Sequence, residues 1–329
     1  MKDKLKKITC FLITIALICA AVRYLNVVIR PTGTDISVQA IRTFHEDMPD
    51  DTFEVIGYGS SHMWKSMDPI TLYTDYGIGA YNYGCNWQRI NTTSLFIEDS
   101  LRTQSPDIII IETFLVGEVL QNVDIESEIY YAREIPDFDA KTDYLEQCFV
   151  GDFDRYLSYY LPICAFHENW VNLTKDSFLG VPDNMDFDQS FGYWPMTTVT
   201  PTVIGDYSTF EQLELEAASL SVLDGIVEIC KENDIEIIFF TAPYEGVYSY
   251  SNAMNEYATS HGYVYLDLFQ NLEETGINGE TDFQDIGHLN YSGAVKVADY
   301  LGEYIVNNYD VTDMRTIEGN IWSQSPLVQ

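Results

Sequence analysis

Two short segments, separated by more than two hundred residues, contain the residue types that nucleophilic catalysis requires. Residues 57–62 read GYGSSH and residues 285–290 read DIGHLN. Glycines allow a sharp turn, so the first segment can present a serine hydroxyl beside unpaired backbone N–H groups. In the second segment Asp285 precedes His288 by three residues, so its carboxylate can accept a hydrogen bond from Nδ1 and leave Nε2 as a base. A hydroxyl, an imidazole and a carboxylate together can attack a carbonyl carbon.

Neither segment is specific when taken alone. A GSS sequence is a common turn, and an Asp three residues before a His is a common helix cap. Each segment, however, follows or precedes a predicted regular element, and the two stand at opposite ends of one alternating pattern. A third segment, residues 82–86 (NYGCN), follows another predicted strand and can add N–H donors beside the hydroxyl. Their joint occurrence favours a single site.

The elements that must position these segments alternate along the chain. Strands are predicted at residues 53–59, 80–84, 107–111, 236–240 and 263–267, and helices at residues 87–103, 213–233, 252–261 and 292–308. In the third of these strands residues 108–111 are continuously apolar, as is typical of a strand covered on both faces. This alternation predicts an α/β protein, a three-layer α/β/α sandwich around a five-stranded parallel flavodoxin-like sheet, with the site at the carboxyl ends of the strands.

Residues 115–212 interrupt the alternation between the third and fourth strands. This stretch is rich in Tyr, Phe, Asp and Pro and includes DRYLSYYLP (154–162), AFHENW (165–170) and FGYWP (191–195). We expect an insertion that forms a cap near the site. Its aromatic side chains can serve either packing or the stacking of a sugar ring. Residues 310–329 are predicted to be a polar tail.

The N-terminus predicts a membrane anchor or a signal peptide. Residues 1–7 read MKDKLKK, and residues 8–22 carry no charge, a run of 15 residues that is about 22 Å long as a helix. Extension through Ile29, with Arg23 reaching the surface, gives about 33 Å, enough for the hydrocarbon core. We expect residues 1–30 to be an uncleaved anchor with a cytoplasmic N-terminus and residues 31–329 to be extracytoplasmic. Cleavage near Cys19-Ala20-Ala21 is the alternative.

Charge and composition exclude other classes of protein. The 329 residues carry 17 Lys and Arg against 51 Asp and Glu, and residues beyond 30 carry 11 cations against 50 acids. Nucleic-acid binding is therefore not expected, because phosphate contacts need clustered cations. The six cysteines have no CxxC spacing, so no zinc site or other metal is expected, and no cofactor. A Cys148–Cys164 disulfide and buried free thiols both remain open.

On these segments the chain resembles the SGNH/GDSL hydrolase superfamily. The G-x-S block of that family corresponds to Gly59-Ser60-Ser61, which implies Ser61 as the nucleophile. The D-x-x-H block corresponds to Asp285 and His288 as the rest of the triad. The second block implies an oxyanion hole formed by the N–H groups of Ser61 and Gly84, with Asn82 or Asn86 as a further donor. The resemblance covers roughly residues 50 to 310.

One position departs from the family pattern. Where the family has an Asn donor after the third strand, this chain has Glu112-Thr113-Phe114. An ionised Glu112 cannot donate a hydrogen bond, and loss of one oxyanion donor costs about 10²–10³ in rate. Glu112 is therefore either a solvated carboxylate at a strand end or a substrate contact. His62 is either a structural or rim residue or a further substrate contact.

The GSSH and DxGHLNxxGA variants look like the membrane-anchored bacterial branch of the family, which is similar to proteins of polysaccharide O-acetylation and teichoic-acid D-alanylation. The YLP…HxxWxxLTxDSF run of residues 160–178 looks like this branch too. The resemblance implies a serine esterase or O-acyltransferase that acts on a cell-envelope glycan, with a multispanning membrane acyltransferase as a partner. The alternatives are a catalytically silent assembly or binding protein and a secreted lipase or thioesterase.

Overall fold

The computed structural model describes residues 2–29, 36–119, 132, 134–179, 189–205 and 211–328. Parts of the predicted insertion (120–131, 133, 180–188 and 206–210) and residues 1 and 30 of the predicted anchor lie outside the described residues. The chain divides into two compact units. The first comprises residues 1–34 and 149–185, and the second comprises residues 35–148 and 186–329. Each unit is described by itself below.

The described helices are given in chain order: α1 (Lys2–Val28), α2 (Ile36–Glu46), α3 (Ser61–Trp64), α4 (Pro69–Tyr76), α5 (Ile90–Ser100), α6 (Asp139–Cys148), α7 (Phe153–Tyr160), α8 (Pro162–Ala165), α9 (Lys175–Leu179), α10 (Ala217–Glu232), α11 (Ser251–His261), α12 (Leu272–Thr275) and α13 (Tyr291–Asn308). Among the described residues, short 3₁₀ helices occupy His167–Asn172, Met314–Thr316 and Trp322–Gln324. Helices α1, α7, α8 and α9 belong to the first unit.

The second unit is built on a five-stranded parallel sheet. Its strands are β1 (Val55–Tyr58), β2 (Ala80–Asn82), β3 (Ile108–Glu112), β4 (Glu236–Thr241) and β5 (Val264–Asp267), in the spatial order 2-1-3-4-5. All four neighbouring pairs are parallel. This is the flavodoxin-like order, in which the connections reverse direction between β1 and β3. The predicted fold class is confirmed.

Helices cover both faces of the sheet. On one face Val55, Ile110 and Phe240 pack into a buried cluster with Leu72 of α4 and Leu301 of α13. Successive strand residues point to opposite faces, so their neighbours Ile56, Ile109 and Phe239 point the other way, and they are equally buried. Helices α5 and α10 contact each other. In addition, α5 contacts strand β1 and α10 contacts strand β4. Both faces of the sheet are therefore buried, which explains the apolar runs in the central strands β3 and β4.

A small antiparallel hairpin follows the parallel sheet. Strands β6 (Phe283–Asp285) and β7 (His288–Leu289) pair with each other, and α13 begins two residues later. Asn290 is the N-cap of α13, because its Oδ1 accepts a hydrogen bond from Gly293 N at 3.2 Å. Its Nδ2 donates to the carbonyl of Thr281 at 2.8 Å. The Asn thereby fixes the hairpin to the helix.

Within residues 189–205 of the predicted insertion, residues 196–202 lie along this hairpin and the start of α13. Thr200 N donates to Phe283 O at 2.8 Å, and Tyr291 N donates to Met196 O at 2.7 Å. The aromatic side chains of Phe191 and Tyr193 are buried. This part of the chain packs against the core rather than offering its rings to solvent.

The C-terminal residues, predicted from the sequence as a polar tail, pack within the second unit. The Trp322 side chain is fully buried and its ring contacts those of Phe53, Tyr73 and Phe191. Its indole N–H donates to Ala80 O at 3.3 Å. The C-terminus thus covers the start of strand β2.

The first unit contains the one described helix that is long and apolar enough to cross a membrane, Lys4–Val28, with a mean hydropathy of 2.2. A signal sequence passes the same criterion. Within this unit α1 contacts α8 and α9. Cys164 belongs to this unit and is exposed with a free thiol, whereas Cys148 belongs to the second unit.

Candidate active site

Ser61 is the first residue of α3 and lies directly beyond the carboxyl end of β1. The chain turns there through Gly59, whose φ is +150°. A Cβ atom at Gly59 would lie 2.6 Å from Cβ of Glu112, so only glycine fits. Ser60 is the N-cap of α3, because its Oγ accepts a hydrogen bond from His62 N at 3.2 Å. The turn therefore places the Ser61 hydroxyl at the start of a helix.

His288 and Asp285 face each other across the β6–β7 hairpin. The Nδ1 atom of His288 lies 2.8 Å from Oδ1 of Asp285, and its Nε2 atom lies 2.8 Å from Oγ of Ser61. A carboxylate can only accept, so Nδ1 carries the proton and Nε2 accepts from the Ser61 hydroxyl. The structure brings these three predicted residues together in one hydrogen-bonded chain. Their catalytic role remains a prediction.

Asp285 is held in its ionised form. Burial opposes ionisation, but hydrogen bonds from Gln284 Nε2 and Gly287 N, both at 2.8 Å, favour the charge, as does His288. Together these contacts lower the pKa of Asp285 to about 2. The carboxylate is therefore charged throughout the physiological pH range and can stabilise an imidazolium.

His288 is held neutral. Burial is the main cause that lowers its pKa below 6.5, and the positive charge of Lys65 adds to this, against the opposing influence of Asp285. A neutral imidazole is the form that can take a proton from a hydroxyl. Lys65 follows Ser61 by four residues, a helical spacing that brings it to the same side of α3 as the nucleophile. Its role was not foreseen from the sequence, although this spacing was visible there.

His62 forms an aromatic wall beside the triad. Its ring stacks on Phe114 with centroids 3.9 Å apart, meets Tyr244 edge-on at 5.3 Å and lies 5.2 Å from the ring of His288. The side chain is buried, and burial holds its pKa well below 6.5. His62 is thus a neutral ring packed between aromatic neighbours. Its predicted contact with substrate remains a prediction.

The predicted oxyanion donors differ in their hydrogen bonding. Ser61 N is the first N–H of α3, where a helix offers no acceptor, and none of the described residues accepts from it. Gly84 N, in contrast, donates to Oδ1 of Asn82 at 3.1 Å. A Cβ atom at Gly84 would lie 2.8 Å from Trp64 N, so this glycine allows the loop to pack closely on α3.

The two asparagines of the third segment support this loop. Asn82 is fully buried, and its Nδ2 donates to the carbonyls of Met63 and Met67 at 3.0 and 2.7 Å. Asn86 accepts a hydrogen bond from Trp64 Nε1 at 3.0 Å through its Oδ1. Both side chains therefore hold α3 in place, and the predicted donor role of Asn86 stays a prediction.

Glu112 is buried at the end of β3, which excludes the solvated carboxylate considered from the sequence. Its Oε2 accepts from Ser60 Oγ at 2.9 Å and its Oε1 accepts from Phe114 N at 2.6 Å. Burial raises the pKa of Glu112 to about 7, against the opposing hydrogen bonds. The carboxyl group thus braces the turn that carries Ser61 and titrates near neutral pH.

Among the described residues, no group of three or more His, Cys, Asp and Glu side chains converges on a point where a metal ion would be held. The cluster at the site consists of one carboxylate, one imidazole and one hydroxyl in series. Such an arrangement can move a proton from the hydroxyl to the imidazole and generate a nucleophile without a bound cation.

The sequence matches no known protein-family profile and no curated protein sequence. Among solved structures it is similar to one from Bacteroides fragilis NCTC 9343 that is described as a "putative acylhydrolase". The identity is 10%, the TM-score is 0.39, and the similarity covers 82% of this chain and 95% of that chain. At this identity and TM-score the similarity carries no information about the reaction.

Proposed function

We propose that this chain is a serine esterase or O-acyltransferase of the SGNH/GDSL type that acts on acyl esters of a cell-envelope glycan or polymer. The observation that carries the proposal is the continuous hydrogen-bonded chain from Ser61 Oγ through His288 to Asp285. The neutral state of His288 and the ionised state of Asp285 support it, because both are the protonation states that attack requires.

In the first half-reaction Ser61 Oγ attacks the ester carbonyl carbon while His288 Nε2 takes the hydroxyl proton. The resulting imidazolium is stabilised by Asp285. His288 then returns the proton to the departing alcohol as the C–O bond breaks, which leaves an acyl group on Ser61. In the second half-reaction His288 deprotonates water or a sugar hydroxyl, whose oxygen attacks the acyl carbon and restores the Ser61 hydroxyl.

The negative charge of the tetrahedral intermediate needs donors beside Ser61. The Ser61 N–H is available, since no described residue accepts from it. Gly84 N is the second donor in our proposal, and it must exchange Asn82 Oδ1 for the oxyanion as the charge develops. Loss of the hydrogen bond to Asn82 offsets part of the stabilisation of the oxyanion. We therefore expect slower ester hydrolysis than in a hydrolase with a complete set of free donors.

The aromatic side chains beside the triad favour a substrate with a short acyl group. His62, Phe114 and Tyr244 pack ring against ring beside His288, so that side of the site is filled by rigid side chains. We therefore favour an acetyl group or one of similar size over the long chain that a lipase would accept. The large negative charge of the chain disfavours a polyanionic acceptor, so a neutral or weakly charged glycan is proposed.

The proposed location is the cell membrane. Helix α1 would span the bilayer once, with its Lys-rich start in the cytoplasm and the second unit outside. A multispanning membrane acyltransferase that exports the acyl group is the proposed partner. This topology would place the triad on the same side of the membrane as the envelope glycan.

A catalytically silent assembly or binding protein is the second candidate function. Two observations favour it: Glu112 replaces the Asn donor of the family pattern, and Gly84 N already has an acceptor. A silent protein would keep the fold and the hydrogen-bonded chain without turning over esters.

A steady-state and burst assay separates these functions. Full-length protein in detergent is mixed with p-nitrophenyl acetate, with and without a neutral oligosaccharide acceptor, and Ser61→Ala is compared with the exposed control Ser105→Ala. We expect a nitrophenol burst that Ser61→Ala abolishes and Ser105→Ala retains. Acetylated oligosaccharide, detected by mass spectrometry, identifies a transferase, and acetate alone identifies an esterase. A folded wild-type protein with no Ser61-dependent burst contradicts the proposal.

A further inference from the structure

The first unit combines the apolar helix α1 with a short helical segment that is unusually apolar at its surface. Within residues 149–179, eight large apolar side chains are exposed, and we call them the interfacial surface: Val150, Phe153, Leu157, Tyr160, Trp170, Val171, Phe178 and Leu179. Phe153 is 72% exposed and Trp170 is 68% exposed. Large apolar side chains concentrated in so short a stretch usually mark a surface that meets an apolar phase.

Hydrogen bonds attach this segment to the last turns of α1. Ile163 N donates to Asn26 Oδ1 at 3.3 Å, and Asn169 Nδ2 donates to Ile29 O at 3.0 Å. Tyr24 OH donates to Phe178 O at 3.2 Å. Three separate parts of the segment are therefore held beside residues 24–29. The depth of these residues in a membrane then determines the depth of the segment.

The length of α1 places that level at the outer membrane surface. If Lys7 marks the inner surface, a hydrocarbon core of about 30 Å is crossed by about 20 residues at 1.5 Å each. The helix then leaves the hydrocarbon near Val27, and a moderate tilt shifts this point by one or two residues. Tyr24 and Asn26 lie at this boundary, where tyrosine is commonly found.

Helix α7 has the pattern of a helix that lies in the plane of the membrane surface. Phe153 and Leu157, four residues apart, form an exposed apolar stripe that Tyr160 extends by a further turn. Asp154 and Arg155 are exposed on the remaining surface, and Arg155 lies 3.4 Å from Asp152. An apolar stripe opposite a charged face is typical of interfacial helices.

We propose that residues 149–179 form a membrane-interfacial platform whose apolar side chains insert into the outer leaflet next to α1. The molecules that contact this surface are lipids, because the hydrogen bonds to residues 24–29 hold these side chains at headgroup depth whether or not a protein partner is bound. Insertion is driven by apolar contact and not by charge. The described part of the segment carries four acids against two bases: Asp152, Asp154, Glu168, Asp176, Arg155 and Lys175. This inference rests on the proposed anchoring role of α1.

Fluorescence quenching of Trp170 tests the platform directly. Full-length protein is reconstituted alone in phosphatidylcholine nanodiscs, with lipid chains that are either unmodified or brominated near the headgroup. The contribution of Trp170 is obtained by subtracting the spectrum of Trp170→Phe, a conservative change at an exposed site. We expect brominated chains to quench this contribution at least twofold, and aqueous acrylamide to quench it no more than a buried tryptophan.

The opposite pattern overturns the proposal. If acrylamide quenches Trp170 freely and brominated lipid does not, the surface faces water in a bilayer that contains no other protein, and its occupant is a protein partner or a second copy. Alkaline carbonate extraction of native membranes tests the premise separately. If carbonate releases the chain, α1 is not an anchor, and the platform proposal fails together with the anchor. If the chain is retained but Trp170 is exposed to water, only the platform proposal is refuted. Neither result bears on the Ser61-dependent burst.

Discussion

Replacement of Asp285 by asparagine tests the imidazole–carboxylate pair at the centre of the site. Asp285 Oδ1 accepts from both Gly287 N and His288 Nδ1, each at 2.8 Å, so an amide oxygen in that position would keep both hydrogen bonds and the hairpin should fold. The substitution removes the negative charge that stabilises the imidazolium. In the opposite orientation the amide NH2 group would donate to Nδ1, and His288 would carry its proton on Nε2, where it cannot accept the proton of Ser61.

The expected loss follows from the position of the carboxylate. The Asp285 side chain is 48% exposed, so the effective dielectric constant lies between that of water and that of a protein surface. Two unit charges about 4 Å apart interact by about 1 kcal/mol in water and about 4 kcal/mol at a dielectric constant of about 20. At about 1.4 kcal/mol per tenfold in rate, loss of this interaction costs between about 5-fold and about 10³-fold. We therefore expect kcat/KM to fall within this range, and to reach its upper end in the amide orientation that also changes the tautomer.

Hydrolysis of p-nitrophenyl acetate by the full-length protein measures this loss. The exposed Glu280, five residues away, supplies the control: Glu280→Gln removes the same charge outside the hydrogen-bonded chain and should change kcat/KM by less than about twofold. A folded Asp285→Asn variant that loses less than about fivefold would refute the assignment of Asp285 as the partner of the base.

Three further results are expected. Because the pKa of His288 is lowered, kcat/KM should reach its plateau with a midpoint below pH 6.5, and Lys65→Met should move that midpoint to higher pH by removing a nearby positive charge. Because the pKa of buried Glu112 is raised to about 7, the folded state keeps a proton that the unfolded state loses above about 4.5, so stability falls as pH rises through this window. Glu112→Gln should remove this fall, and its free energy of unfolding relative to wild type should improve by up to about 3 kcal/mol between pH 5 and pH 8 in urea titrations. Trp322→Ala should lower the free energy of unfolding by about 3–5 kcal/mol, because it empties a fully buried site at the end of the chain.

Each of these results has a matched control. Lys65→Arg keeps the positive charge and should leave the midpoint of the pH profile in place, so an equal shift in both variants would rule out the electrostatic explanation. A Glu112→Gln variant with the same pH dependence as wild type would show that Glu112 does not titrate near neutrality. Leu327 is about half exposed, so Leu327→Ala should cost little. A similarly small loss for Trp322→Ala would mean that the C-terminus contributes little to the core.

The sheet was predictable because its strands are buried on both faces. Residues 108–111 and 237–240 read as continuous apolar runs, and the helices between them show apolar residues at helical spacing, so element type and order followed from the sequence. The parallel arrangement followed from the helical crossovers, since parallel strands need long connections. The two ends of the triad could be placed at one edge of the sheet for the same reason.

What the sequence did not reveal depends on contacts between distant residues. The β6–β7 hairpin is only five residues of strand, and Asn290 stabilises it through bonds to carbonyls that no pattern marks. Trp322 lies in a mostly polar stretch whose few apolar residues have no regular spacing, so its burial could not be read from periodicity. Glu112 reads as a polar strand end, and only the fold shows that Ser60 and Phe114 enclose it.

The measurement that tests the central claim most directly is the mapping of a fluorophosphonate adduct. Full-length protein in detergent is treated with the probe, digested and analysed by mass spectrometry, with His288→Ala as the matched variant. The account predicts a single phosphonylated peptide that carries the adduct on Ser61, and its loss in His288→Ala. A folded wild-type protein that stays unmodified, or that carries the adduct on another serine with the same yield in His288→Ala, would contradict it.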